Sequence, residues 1–366
     1  MNSSPQPIQV ILQDAPGPRV LGMQVRERNA RVATRAGASV VEQAAAGSAL
    51  YVPADVVLEA SLFDHLPNPE KLHRLLPHEG SAAAAIWGPT EQVEALTRGE
   101  PGADDIASLT LPEGALFDAS TPEQRRRSGR TMLLRTVKPT DGFVSRHLNR
   151  RVSRFFSRWF MLMRLRPNHG SFVSFLIGVA TAWFLAQPTW LDFAIGGVLF
   201  QFASIFDGVD GEMARVSVRD SKFGAKVDTA VDNFTYIACL VGFAIGWIRE
   251  GISALDTALV IGTIVAILLT LFQVLLFVRR YAPTASFVFL DTCVRRAAAR
   301  TKLPTLRAAS GVFHALRRDL FSLLLMFVTF SGSRQTVLWL AIFGLFVANF
   351  TLIVHRKQLV EAAAQG

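Results

Sequence analysis

The stretch Phe206–Phe234 reads FDGVDGEMARVSVRDSKFGAKVDTAVDNF. Uncharged apolar runs flank it, Phe193–Phe206 before and Asn233–Ile248 after, yet it carries Asp207, Asp210, Asp228 and Asp232. One charge at the centre of a membrane helix costs about 2.5–3.5 kcal/mol on insertion scales, so four uncompensated carboxylates cost on the order of 10 kcal/mol. Asp207 and Asp210 are three apart and Asp228 and Asp232 four apart, so each pair shares one face of a helix. Gly224, in the connection, is read as the residue that breaks or redirects the chain. Two antiparallel helices then aim four carboxylates at one another, and like charges that close require cations between them. Carboxylate oxygens suit Mg²⁺, Mn²⁺ or Ca²⁺ rather than zinc. Two divalent ions neutralise four carboxylates, and two-metal sites clamp phosphates for displacement at phosphorus. Gly211 and Ala214 let a diphosphate approach the backbone. The forked guanidinium of Arg215 matches phosphate oxygens.

The rest of the chain supports a membrane setting for this stretch. Half of the 366 residues are hydrophobic and the mean hydropathy is +0.31, but the apolar runs begin only near Ser171. A bilayer core takes about 20 apolar residues as a helix. Six runs are read as spans: Ser171–Gln187, Phe193–Phe206, Asn233–Ile248, Thr257–Val278, Leu320–Ser333 and Gln335–Val354. The second and third continue into the aspartate stretch. Lysine and arginine crowd the segment before the first span and the segment Arg279–Arg318, whereas the opposite loops carry only Arg249 and Arg334. By the positive-inside rule both termini and the aspartates face the cytoplasm. The net charge of +9, from 38 basic and 29 acidic residues, is therefore read as attraction to anionic lipid rather than to nucleic acid. Cys239 and Cys293 are the only cysteines, too few for a disulfide framework. The N-terminus MNSSPQPIQVILQ lacks the basic start and long apolar run of a signal peptide.

In VSRHLNRRVSRFFSRWFMLM, Val144, Leu148, Val152, Phe155, Trp159 and Leu162 recur at steps of three and four, with Arg146, Arg150, Arg154 and Arg158 about opposite. That pattern predicts an amphipathic helix lying on the membrane with its apolar face in lipid.

The pattern Asp207-x₂-Asp210-Gly211-x₂-Ala214-Arg215-x₈-Gly224-x₃-Asp228-x₃-Asp232 resembles the complete signature of the CDP-alcohol phosphotransferase family. The resemblance implies a homodimeric, six-helix integral membrane enzyme. Such an enzyme moves a phospho-alcohol from a CDP-alcohol donor to an acceptor alcohol and releases CMP. It implies that Asp207, Asp210 and Asp228 hold the metals, two Mg²⁺ or Mn²⁺ ions. Asp232 adds to the metal site and serves as general base. Gly211, Ala214, Arg215 and Gly224 frame the CDP moiety. Before the first helix the family often has Thr-Pro-Asn-x-x-Thr; here Pro167, Asn168 and Ser171 keep part of it. Asn168 is thus a candidate at the site edge, or a helix cap. Lys222, Lys226 and the basic loop are candidates for an acceptor phosphate, or simply the positive-inside bias.

Residues 1–130 alternate short apolar runs with helical stretches, which predicts a small cytoplasmic α/β domain. Their order resembles a shrunken sugar-nucleotidyltransferase domain, as fused to inositol-phosphate members of the family. The first strand leads into Gln13-Asp14-Ala15-Pro16-Gly17-Pro18-Arg19. Prolines remove the backbone donors that a phosphate loop needs, so the domain is read as degenerate. Residues 131–166 are read as linker plus juxtamembrane helix, the polar stretch Ala119–Arg130 also looks like linker, and 167–366 form the membrane domain. The acceptor stays open among inositol phosphate, glycerol phosphate and other alcohols. In bacteria the location would be the inner membrane. Two other classes compete: a divalent-cation transporter lined by the four carboxylates, and a catalytically dead scaffold. The first should spread polar residues over several spans, and the second need not keep the aspartates.

Overall fold

The computed structural model describes residues 8–15, 17–78, 83–100, 106–138, 141–251, 253–281, 288–301, 303–315 and 318–364. Pro16, on which part of the loop argument above falls, lies outside them. The N-terminal region is α/β. Its elements are β1 (Gln9–Leu12), β2 (Arg19–Val20), β3 (Met23–Gln24), α1 (Val25–Arg35), β4 (Ser39–Val41), β5 (Ser48–Val52) and β6 (Val56–Leu58), then β7 (His73–Leu76), β8 (Ala85–Pro89), α2 (Thr90–Thr97), β9 (Ala107–Thr110), β10 (Leu116–Asp118) and α3 (Pro122–Leu134). Helices follow: α4 (Arg150–Leu162), α5 (Pro167–Leu185), α6 (Trp190–Ser217), α7 (Lys222–Arg249), α8 (Ala254–Tyr281), α9 (Val288–Thr301), α10 (Pro304–Ala315), α11 (Arg318–Thr329), α12 (Arg334–Val354) and α13 (Arg356–Ala363).

Two compact units emerge: Met1–Val137 with Arg154–Pro167 and Val209–Lys222, and Lys138–Ser153 with Asn168–Gly208 and Phe223–Gly366. In the first, six strands run in the order β4-β1-β5-β8-β7-β9. β1 is parallel to both β4 and β5, while β8 pairs antiparallel with β5 and β7. β1, α1 and β4 thus make a βαβ unit, in which a helix returns the chain to a parallel neighbour. Buried Val10, Leu50, Val52, Leu58, Leu62, Leu75 and Trp87 form its core. The stretch 119–130, expected as linker, is mostly α3. Thr121 and Gln124 close a capping box there, which supplies the first turn with two of its missing bonds.

Three arginines on α1 reach the C-terminal end of α6 within this unit. Arg28 Nε donates to Val216 O at 2.8 Å, Arg31 Nη1 to Ser217 O at 2.9 Å, and Arg35 Nη1 to Asp220 Oδ1 at 2.6 Å. Steps of three and four put them on one face. The last carbonyls of a helix lack partners and carry negative partial charge, so guanidinium groups satisfy both needs. Arg28 is fully buried and also bonds Leu58 O and Glu59. Burial pushes its guanidinium down from the usual arginine range, against the pull of Glu59.

The second unit is helical. α5, α6, α7, α8 and α12 are long and apolar enough to cross a membrane. The remaining expected span, Leu320–Ser333, falls on α11, whose 12 residues reach about 18 Å at 1.5 Å per residue, short of a hydrocarbon core of about 30 Å. Small residues let these helices touch. A Cβ on Gly178 would lie 2.4 Å from Thr235 Oγ1, and one on Gly242 2.3 Å from Ala182 O; close backbone approach of this kind replaces the hydrophobic effect inside lipid. Arg334 is buried, donates to the Leu185 and Gln187 carbonyls and pairs with Glu250. It thereby caps the end of α5.

Candidate functional site

Along α6, Phe193, Phe200 and Asp207 recur every seven residues. Phe193 lies 6.1 Å from Phe243 of α7, and Phe200 lies 6.1 Å from Tyr236. The partners descend as the α6 numbers rise, so the two helices run antiparallel along one seam. The next step on the seam brings Asp207 to Asp228 and Asp232. A carboxylate oxygen from each of the three lies within 4.8 Å of the others, and all three residues are half-buried.

Three acidic oxygens this close repel unless a cation joins them. They fit a hard divalent ion, since all the donors are carboxylate oxygens. Asp210 follows Asp207 by one helical turn and is buried.

The other residues singled out fall as follows. Gly211, Ala214 and Arg215 lie on the last turns of α6, half-buried. A Cβ on Gly211 would meet Arg215 Nη1 at 3.1 Å, so the guanidinium folds back over the glycine. Gly224 does not break the chain; it is the third residue of α7. The redirection comes earlier, at Val218, whose φ is +54°. There Arg219 N bonds Ala214 O and Val218 N bonds Arg215 O, the paired bonds that end a helix in a Schellman motif. Asn168 is exposed in the first turn of α5, behind Pro167. Lys222 and Lys226 are exposed on the first turns of α7.

Several polar contacts around α4 and α6 escaped the sequence reading. Arg150, read as one of four arginines on the water side of the juxtamembrane helix, is buried and pairs with Asp141 through two bonds of 2.9 and 3.1 Å. Burial raises the Asp141 carboxyl, but the Arg150 bonds and the Lys138 amide outweigh it and hold the carboxyl below its usual range. A Cβ on Gly208 would lie 2.7 Å from Arg150 Nη1, so this guanidinium rests beside the residue that follows Asp207. Gln201 on α6 bonds Asn149 at 2.9 Å and Ser322 of α11 at 2.7 Å, all buried. In the other unit, Ser157 of α4 donates to the fully buried Glu212 at 2.6 Å. The one available signal was Ser153 and Ser157, four apart on a helix otherwise rich in bulky residues. Meanwhile Phe155, Trp159 and Leu162 of α4 are exposed, the face expected to lie in lipid.

A carboxylate cluster where two long apolar helices meet, followed on one of them by a glycine and a guanidinium, is a donor set that could hold a divalent cation. The chain belongs to the CDP-alcohol phosphatidyltransferase family, whose model matches residues 164–348. It is similar to proteins named bifunctional IPC transferase and DIPP synthase. That of Thermococcus kodakarensis is 39% identical over 147 residues, 40% of this chain and 33% of the relative. That of Archaeoglobus fulgidus is 38% identical over 128 residues, 34% of this chain and 25% of the relative. That of Rubrobacter xylanophilus is 33% identical over 189 residues, 52% of this chain and 41% of the relative. The chain thus spans well under half the length of these curated relatives.

Proposed function

We propose that this chain transfers a phospho-alcohol group from a CDP-alcohol to an acceptor alcohol and releases CMP. The observation that carries the reading is the meeting of Asp207, Asp228 and Asp232 within 4.8 Å inside a segment that matches the family. Helical spacing adds Asp210 to the face of α6 that bears Asp207. Two Mg²⁺ or Mn²⁺ ions held by these carboxylates would neutralise the donor diphosphate and stabilise charge on the departing CMP. Gly211 and Ala214 leave room for the CDP moiety against α6, Arg215 binds its phosphate oxygens, and Gly224 and Asn168 lie at the edges. Asp232 takes the proton from the acceptor hydroxyl as that oxygen bonds to phosphorus. The bond from phosphorus to CMP breaks, and its electron pair leaves with CMP. The acceptor is inositol phosphate, glycerol phosphate or a related alcohol, in line with the transferase and synthase names of the relatives. The family match leaves the cation-transporter alternative without support.

In this reading the protein has six crossings, α11 being the short one, and both termini and the site face the cytoplasm. Basic residues before α5 and between α8 and α11 support that orientation. Residues 1–130 are a degenerate nucleotidyltransferase-like domain, 131–166 connect and anchor, and 167–366 carry the reaction, in a homodimer.

CMP release measured across a panel of CDP-alcohols and acceptors tests the reading. Release should stop with EDTA and return with Mg²⁺ or Mn²⁺. Full release in metal-free buffer, or none with any donor, would refute it. With CTP and a polyol phosphate replacing the CDP-alcohol, no pyrophosphate should form; its appearance would show an active N-terminal domain.

A further inference from the structure

Within the first compact unit, the β2–β3 hairpin, α1, the end of α4 and the end of α6 enclose a cavity of about 200 Å³. Arg19, Arg31, Arg164 and Arg219 line it, with Glu27 as the only carboxylate and Ser217 at its wall. Among the described residues, none of the eight specified positions of the aspartate signature lines it, although Met213, Ser217 and Arg219 lie between them in sequence. We propose that this cavity is a binding site for a phosphate ester or diphosphate, separate from the carboxylate site and independent of the transferase reading.

The charge balance carries the first part of the argument. Two helix C-termini, those of α4 and α6, border the cavity, and their negative partial charge attracts cations. That attraction accounts for Arg28 and Arg31, and most of the end carbonyls have donors without the other arginines. Ser217 O is taken by Arg31 and Val216 O by Arg28, while Ala214 O and Arg215 O of α6 and Trp159 O, Phe160 O and Met161 O of α4 accept backbone bonds from residues 218–219 and 163–165. Arg31 also pairs with Glu27. Arg19, Arg164 and Arg219 have no ion-pair partner among the described residues. Arg31 is held below its usual range by burial and by repulsion from Arg219. Guanidinium groups that crowd and repel in a partly enclosed space are stabilised by a multivalent oxyanion, and their planar forks suit phosphate.

Backbone strain carries the second part. Only Leu21, Arg164 and Val218 among the described non-glycine residues have positive φ, and each is a lining residue or adjoins one. For Leu21 and Val218 packing offsets the strain: Leu21 is buried against α3 at Gly129, and Val218 packs on the sheet core. Arg164 makes the same pair of helix-ending bonds as Val218, from its own N to Met161 O and from Leu165 N to Phe160 O, but its side chain is not buried as Leu21 is. It is exposed, with φ +60°, at the position after α4 where Leu165 N returns to Phe160 O. Glycine is the usual residue in that place. Strained non-glycine residues of this kind cluster at ligand sites, and this one is an exposed arginine at the cavity wall.

The phosphate has two conceivable sources: a soluble phosphorylated metabolite, or a lipid headgroup reached beside the exposed Trp159 and Leu162 of α4. The test uses the full chain in nanodiscs, in EDTA to silence the carboxylate site, titrated calorimetrically with inorganic pyrophosphate. Saturable binding is expected. The Arg164→Gly/Arg219→Ala double variant should weaken it at least tenfold, while the melting temperature holds or rises because glycine fits the left-handed backbone. Phosphatidylcholine discs are compared with discs containing phosphatidate. Weaker pyrophosphate binding in the latter assigns the site to a headgroup, and equal binding assigns it to a soluble ester. If the double variant does not fold, the exposed Arg19→Glu must give the same loss. No saturable binding in unmodified protein, or undiminished binding in the variants, overturns the proposal.

Discussion

Asp232 and Asp210 are both carboxylates of one signature, but their places predict different losses. Asp232 sits with Asp207 and Asp228, where an asparagine keeps the shape and still offers one oxygen, but cannot take a proton. Asp232→Asn should lower turnover by about 10²-fold or more while the CDP-alcohol still binds. In the proposed reaction Asp210→Asn removes charge beside the donor diphosphate, and should weaken donor binding instead. Donor affinity and CMP release on both variants separate the two roles; near-normal turnover of Asp232→Asn would end its assignment as base. Asp141 gives a prediction in pH. Its folded carboxyl is held below the usual range by Arg150, so the pair contributes stability above the unfolded value of about 3.9, and loses it as pH falls through the lower folded value. Melting temperatures of the unmodified protein and Asp141→Asn should differ at neutral pH and converge in acid. Parallel curves would show that the pair does not couple folding to pH.

Helix α6 is held at its C-terminal end by groups from other elements. Arg28 of α1 is buried and reaches the Val216 carbonyl, Leu58 O and Glu59 at once. Arg28→Met fills much of the space but leaves these acceptors without a donor. Breaking a buried pair from one side costs about 3–5 kcal/mol. The expected result is faster hydrogen exchange in both α1 and residues 209–217, with α12 unchanged. Exchange confined to α1 would mean that α6 holds its end unaided. The juxtamembrane helix obeys a related rule. Its small serines, Ser153 and Ser157, are buried while Phe155 and Trp159 are exposed. The face toward protein is therefore the one with short side chains, and the bulky apolar face is the one expected to lie in lipid.

The whole chain joins an α/β unit to a helical one, and the proposed orientation rests on where its arginines can stay in water. Single cysteines placed at the two termini of a chain lacking Cys239 and Cys293 should both react with an impermeant maleimide only from the cytoplasmic side. Labelling of the two ends from opposite sides would reduce the crossings to an odd number and exclude α11. The first unit also gathers Arg154–Pro167 and Val209–Lys222 around the N-terminal sheet. No reading along the chain predicts that grouping, because contacts between α1 and α6 join residues more than 180 positions apart.

The family signature, the apolar runs and the amphipathic period were legible because each is local: carboxylates at steps of three and four, or 20 uncharged residues, carry their meaning without knowledge of the partner. So were the aspartates as a candidate metal site, since their cost in an apolar segment demands compensation wherever the chain goes. Long-range packing decided the rest. Arg150 looks like one more surface arginine until Asp141 folds onto it. Gly224 looks like a hinge, yet the turn falls at Val218, because side-chain packing on the sheet core and two helix-ending bonds outweigh the backbone preference of glycine. The four-arginine cavity has no motif at all. Its residues come from positions 19, 31, 164 and 219, and only the fold, by bringing two helix ends to one hairpin, makes them a site.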